Sequence, residues 1–130
     1  MRGVCVAIQF DVVIPDRPGE LGKLAAAIGE RGVNIDAISC ATGGGKAYAI
    51  LLIREAHKTR EAIRAAGYTF LERSVLTVQL EDKPGTLGEL AKRLGAAGVN
   101  ITSIVTLNAI GSRVQLAIGV DNLERARRVV

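Results

Sequence analysis

Asp16, Pro18 and Gly19 stand at the head of a helix-like run, with Asn34 just beyond its end; Asp82, Pro84, Gly85 and Asn100 stand in the same order 66 residues later. These residue types could hold a small zwitterion. The start of a helix leaves backbone N–H groups without intrahelical partners and carries partial positive charge, so a carboxylate or phosphate settles there. The aspartate beside it could hold an ammonium group, or could cap the N–H groups itself. An asparagine side chain both donates and accepts, so it could read both ends of an amino acid, or could serve only as a turn residue after Gly32-Val33. Within one copy the turn and the asparagine lie at opposite ends of the helix. They would share a ligand only across an interface between two copies.

The two stretches are copies of one another. Asp16–Ile38 and Asp82–Ile104 align without a gap and are identical at 13 of 23 positions, which marks an internal repeat. In each, leucines fall at helical spacing: Leu21, Leu24, Ala25 and Ile28 form one apolar stripe expected to face a core. Pro18 suits the first helical position and Gly32 the C-cap. Gly22 and Gly88 lie inside the helices at a cost of about 1 kcal/mol each, which predicts a close neighbour at that point.

Around each copy the pattern reads βαββαβ. Val4–Ile14 alternates between a strongly apolar and a mixed face, hence a strand. Asn34–Thr42 and Lys46–Ile53 flank Gly43-Gly44-Gly45 as a hairpin, Glu55–Ala66 reads as a helix, and Tyr68–Leu71 as a short strand. The run TGGGK is no phosphate loop, because that pattern needs Gly at 40 and Ser or Thr at 47, where Cys40 and Ala47 stand. The second copy continues with strand Val75–Leu80, helix Pro84–Ala97, strand Asn100–Asn108, a turn at Gly111-Ser112, strand Val114–Val120 and a helix from Asp121. Two modules are thus expected, 1–72 and 73–130, the second lacking its own final strand. The repeat offset places Tyr68–Leu71 against Arg2–Cys5. Gly3–Ala7 therefore either completes the sheet of module two, in the same or a partner chain, or simply lengthens the first strand of module one. Lys46–Ile53 is apolar on both alternating sets, which predicts that the second sheet face is covered too, by a homo-oligomer or by folded-over pairing.

Composition excludes several classes. Hydrophobic residues make up 48% and charged residues 23%, a globular balance with an aliphatic core, since Trp is absent and Phe and Tyr number two each. The net charge of +4 is spread along the chain, and the one dense cluster, Arg125, Arg127 and Arg128, has no aromatic neighbours, which argues against a nucleic-acid surface. Cys5 and Cys40 sit in apolar strand-like runs as small hydrophobes, so a reducing cytoplasm is expected rather than a disulfide framework. Gln9 and Asp11 interrupt the N-terminal apolar run too early for a signal peptide, and no segment is fit to span a bilayer. One His, His57, and no metal-spaced cluster or nucleophile–base pair leave no catalytic residue, no metal site and no cofactor to expect.

DRPGELGKLA…GVNIDAIS and DKPGTLGELAKRL…GVNITSI resemble the ACT domain family, over nearly the whole chain as two tandem copies. The resemblance implies an α+β fold of two ferredoxin-like βαββαβ modules, their antiparallel sheets joined side by side into eight strands with helices on one face. It implies ligand contacts from the turn, at Asp16, Pro18, Gly19, Glu20 and Leu21 and at Asp82, Pro84, Gly85, Thr86 and Leu87. From the following strand it implies Asn34 and Ile35, and Asn100 and Ile101. Some members carry a polar contact where Ile14 and Leu80 stand here, and Glu20 against Thr86 makes the two turns chemically unequal. The expected function is binding of a free amino acid to regulate a metabolic enzyme or regulator, by a homodimer or higher even oligomer. The alternative is a ligand-free interaction subunit of such an enzyme.

Overall fold

A computed structural model of the chain describes residues 5–130. Its elements are β1 (Cys5–Pro15), α1 (Glu20–Gly29), β2 (Ala37–Gly43), β3 (Lys46–Leu52), α2 (Ala56–Ala65), β4 (Thr69–Glu81), α3 (Thr86–Ala96), β5 (Ile101–Ile110), β6 (Arg113–Val120) and α4 (Leu123–Val129). They make an α+β chain built on two βαββαβ modules. It divides into two compact units, residues 8–73 and residues 5–7 with 74–130. Gly3 and Val4, part of the segment weighed above as a completing strand, lie outside the described residues.

In the 8–73 unit β3 lies between β1 and β2, antiparallel to both. The register sets Phe10 against Leu51, Val12 against Ala49 and Ile14 against Ala47, so the apolar sets of β1 and β3 share one face. Leu24 and Ile28 of α1 and Ala62 and Ile63 of α2 close over that face, and all four are buried. Each large aliphatic side chain removed from water this way contributes about 1.5–3 kcal/mol. Phe70 of β4 packs on Phe10 with ring centroids 5.9 Å apart. On the other face Tyr48 is exposed while Leu52 is buried.

In the second unit β6 lies between β4 and β5, again antiparallel. Leu76 and Val78 pair with Ile118 and Leu116, and Leu90 and Leu94 of α3 with Ala126 of α4 cover them. The β5–β6 register shifts between Ile101 and Ser103 and again between Thr106 and Asn108. Asn122 caps α4, its Oδ1 accepting the Arg125 N–H at 3.0 Å.

Several expectations are corrected. The helices begin at Glu20 and Thr86, not at the prolines, because Gly19 and Gly85 are the N-caps and hold φ of 90° and 92°. A left-handed residue cannot be a helical one, so the start moves two positions on. That start puts Glu20, Leu24 and Ile28 on the buried side, leaving Leu21 and Leu87 38% and 43% exposed. A Cβ built at Gly22 or Gly88 meets nothing within 4 Å, so no close neighbour explains these glycines. Cys5 and Cys40 lie in strands as expected but are exposed, not packed. β2 begins at Ala37, which leaves Asn34 and Ile35 ahead of it. The separate strands Tyr68–Leu71 and Val75–Leu80 are one thirteen-residue strand, β4. No Gly or Pro stands between residues 68 and 80 to break it.

Candidate functional site

The two turns are built alike. After β1, the Arg17 N–H donates to the Pro15 carbonyl at 3.0 Å; after β4's end, the Lys83 N–H donates to the Glu81 carbonyl at 3.0 Å. Gly19 and Gly85 then reverse the backbone, and the first helical bonds run from the Lys23 N–H to the Gly19 carbonyl and from the Glu89 N–H to the Gly85 carbonyl. Neither helix has a side-chain cap, so Asp16 and Asp82 do not act as cap aspartates. Both remain exposed beside the turn with Pro18, Gly19, Pro84 and Gly85. The Asp82 N–H also donates to the Ser112 carbonyl at 2.7 Å, which ties the second turn to the β5–β6 hairpin.

Within the turn the copies differ at two positions, Arg17 against Lys83 and Glu20 against Thr86. Glu20 is buried, and its carboxylate accepts from Arg17 Nε at 2.7 Å and from the Tyr68 hydroxyl at 2.8 Å. The Arg17 hydrogen bond, then that of Tyr68, holds the Glu20 carboxyl below its ordinary value against the opposing effect of burial. Burial, and then the bond to Glu20, pushes the Tyr68 phenol up. Lys23 Nζ stands 5.5 Å from the Tyr68 ring centroid, a cation–π distance that adds to the cluster. In the second turn Thr86 takes this place and donates its hydroxyl to the Glu81 carbonyl at 2.7 Å. Lys83, the counterpart of Arg17, pairs with Glu81 at 2.9 Å, and both side chains are mostly exposed. That bond raises the Lys83 ammonium and lowers the Glu81 carboxyl.

The asparagines sit at the far ends of the same helices. α1 has ten residues and is thus about 15 Å long, so Asn34 does not reach its own turn. Its amide donates to Asp36 Oδ1 at 3.1 Å, and Asp36 is also held by Arg54 Nε and Nη2 at 3.2 and 3.3 Å. With Glu55 these residues line an open polar hollow. Asn100 is held through its backbone, its N–H donating to Asp121 Oδ1 at 2.9 Å and its carbonyl accepting the Asp121 N–H at 3.0 Å. Ile35 and Ile101 are half-buried against the cores of their units.

The sequence reading passed over Asp36 and Arg54, whose opposite charges at the two ends of a hairpin were the available signal. It also passed over a row of amides across the second sheet. Gln79 pairs with Gln115 and Gln115 with Asn108, beside Arg113 and Ile110 in one shallow cavity. His57 lies on the surface and pairs with Glu61 at 2.7 Å. Among the described residues no cluster of His, Cys, Asp and Glu could hold a metal ion, and no helix is long and apolar enough to cross a membrane.

The ACT domain pattern matches this sequence in two stretches, residues 8–66 and 74–120, one in each repeat. The chain belongs to the ACT domain family. ACT domains are regulatory modules, and each of the two here carries one uncapped turn. The ACT chain is similar in fold to a protein from Bacteroides thetaiotaomicron, with TM-score 0.84 and 18% identity over 97% of this chain and 87% of the other. It is also similar to the regulatory subunit of aspartate kinase from Thermus thermophilus, with TM-score 0.72 and 22% identity over 97% and 93% of the two chains. The corresponding subunit from Thermus flavus gives TM-score 0.73 and 22% identity over 98% and 94%. No curated protein matches the ACT sequence.

Proposed function

We propose that this ACT protein binds a free amino acid and passes its bound state to a metabolic enzyme, without itself being an enzyme. The observation that carries the reading is the repeated turn: a left-handed glycine opens a helix whose first amides no side chain caps, with an exposed aspartate alongside. Amides and helix dipole suit the ligand's carboxylate, and Asp16 or Asp82 suits its ammonium. Asn34, Ile35, Asn100 and Ile101 are assigned to the facing wall of such a site. The two Thermus relatives are regulatory subunits of aspartate kinase, which supports an enzyme as partner. A cytoplasmic homodimer or higher even oligomer is part of the same proposal. So is a sheet completed by residues 5–7, which group with 74–130.

A thermal-shift screen of the twenty proteinogenic amino acids at millimolar concentration tests it. A ligand at 100 times its Kd stabilises by about 2.7 kcal/mol, and one or a few should raise the melting temperature. Asp82→Ala should reduce that rise. Silence across the whole panel would overturn the reading and favour a ligand-free interaction subunit, for which the exposed Leu71 and Ile110 offer apolar contact.

A further inference from the structure

We infer that the second unit holds a small organic acid, a carboxylate with further oxygens on a short carbon chain, on the sheet face opposite the one that α3 and α4 cover. Three amides stand in one row there: Gln79 pairs with Gln115 across β4 and β6, and Gln115 with Asn108 across β6 and β5. Directly opposed residues bring their Cβ atoms within about 5.5 Å, so one ligand can span the row. With Arg113, Val114 and Ile110 the amides line a shallow cavity of about 180 Å³, below the roughly 300–1,000 Å³ of drug-sized sites and suited to a small metabolite. Two observations set the row apart from ordinary solvated sheet surface. The register of β5 shifts between Thr106 and Asn108. That extra residue puts Asn108 beside Gln115; without it Leu107 would stand there and Asn108 would face the helices. The first unit, whose β2–β3 register runs unbroken, has no amide at the matching places: Val13, 66 residues before Gln79, pairs with Tyr48, and Tyr48 with Ala41. The fold therefore does not require the row. No hydrogen bond or ion pair among the described residues engages the side chains of Gln79, Asn108, Gln115 or Arg113. Each amide offers two N–H donors to one carbonyl and the guanidinium only donates, so the cavity is rich in donors and selects an oxyanion. Glu81 is the register partner of Arg113, but its carboxylate is bonded to Lys83 at 2.9 Å and is mostly exposed. Ile110, 70% exposed, is left to cover the carbon chain. Neither turn takes part, so the inference stands apart from the amino-acid reading.

Succinate, malate and citrate, at matched ionic strength, are titrated into the isotope-labelled full chain, and the side-chain amide signals of Gln79, Asn108 and Gln115 are followed by NMR. At least one acid should move all three signals along one saturable curve. Arg113→Gln should weaken that binding by about tenfold or more, because a charge-assisted hydrogen bond is lost. Asn108→Asp, which sets a like charge against the anion, should abolish it. Both substitutions fall at exposed positions, and the backbone spectrum of each variant reports its fold. Uncharged succinamide, and inorganic phosphate with no carbon chain for Ile110, should leave the three signals in place. No saturable shift with any of the acids, binding by either folded variant equal to the parent's, or an equal response to succinamide or phosphate would overturn the inference. None of these results bears on an amino acid at the turns, which would be read from the backbone amides around Gly19 and Gly85.

Discussion

Replacing Gly19 by alanine isolates the backbone geometry of the first turn. A Cβ at Gly19 meets nothing within 4 Å, so no steric clash with the surroundings enters. What remains is the left-handed φ of 90°, which costs an L-residue about 1–2 kcal/mol. Against this, alanine restricts the unfolded chain and recovers about 0.4–1 kcal/mol. The net expectation is a loss of about 1 kcal/mol, a fall of roughly 3–5 °C in melting temperature for a chain of this size. Gly85→Ala should cost the same, since its φ is 92° and its surroundings are equally open. Gly22→Ala is the control three residues on. It too has open space but lies inside α1, where alanine should instead stabilise by about 1 kcal/mol. Urea unfolding of the three variants reads the differences. A Gly19→Ala protein as stable as the parent would mean that the turn is not left-handed, and the uncapped helix start derived from it would go as well.

Leu24→Ala and Leu90→Ala, each wholly buried in its unit, should lose about 2–5 kcal/mol by urea unfolding, while Leu21→Ala and Leu87→Ala stay within about 1 kcal/mol. Gly119→Ala would place its Cβ 2.3 Å from Ser103 Oγ and should destabilise by about 1–3 kcal/mol, with Ser103→Ala restoring part of the loss in a double variant. The Glu20 carboxyl is lowered in the folded state, so its contribution to stability is present above the unfolded value and disappears as pH falls through the folded one. The stability gap between parent and Glu20→Gln should therefore be full at neutral pH and shrink below about 4.5, read by thermal unfolding across pH. Both cysteines, being exposed, should react with a thiol reagent in the native protein without denaturant.

Much of this fold could be read from residue order. The alternation of Phe10, Val12 and Ile14 named the buried face of β1, and Leu24 and Ile28 named the buried side of α1. Helical spacing alone could not decide which way the stripe turns. Leu21 and Glu20 are neighbours, and the left-handed Gly19 sets the phase that buries the glutamate instead of the leucine. A charged residue at that position signals solvent to any pattern reading; its burial depends on Tyr68, 48 residues away. The hairpin at Gly44-Gly45 was legible because consecutive glycines supply the positive φ of 61° and 79° that a tight turn demands. Strand length was less legible. Glu72, Arg73 and Ser74 look like a linker, yet Glu72 is taken up by Arg60 and Arg73 by Asp11, and the backbone stays extended through all three. Of the site, the turn chemistry was visible and its occupancy was not.

The way the chain is shared between its two units predicts an order of events during synthesis. The unit spanning 8–73 is contiguous and can close as soon as its last residues leave the ribosome. The other draws on residues 5–7 and on 74–130, so its earliest piece waits for the rest of the chain. Cutting the polypeptide at position 73 would sever one continuous strand and divide the second unit's residues between two fragments, so each fragment is expected to be less stable than the uncut chain.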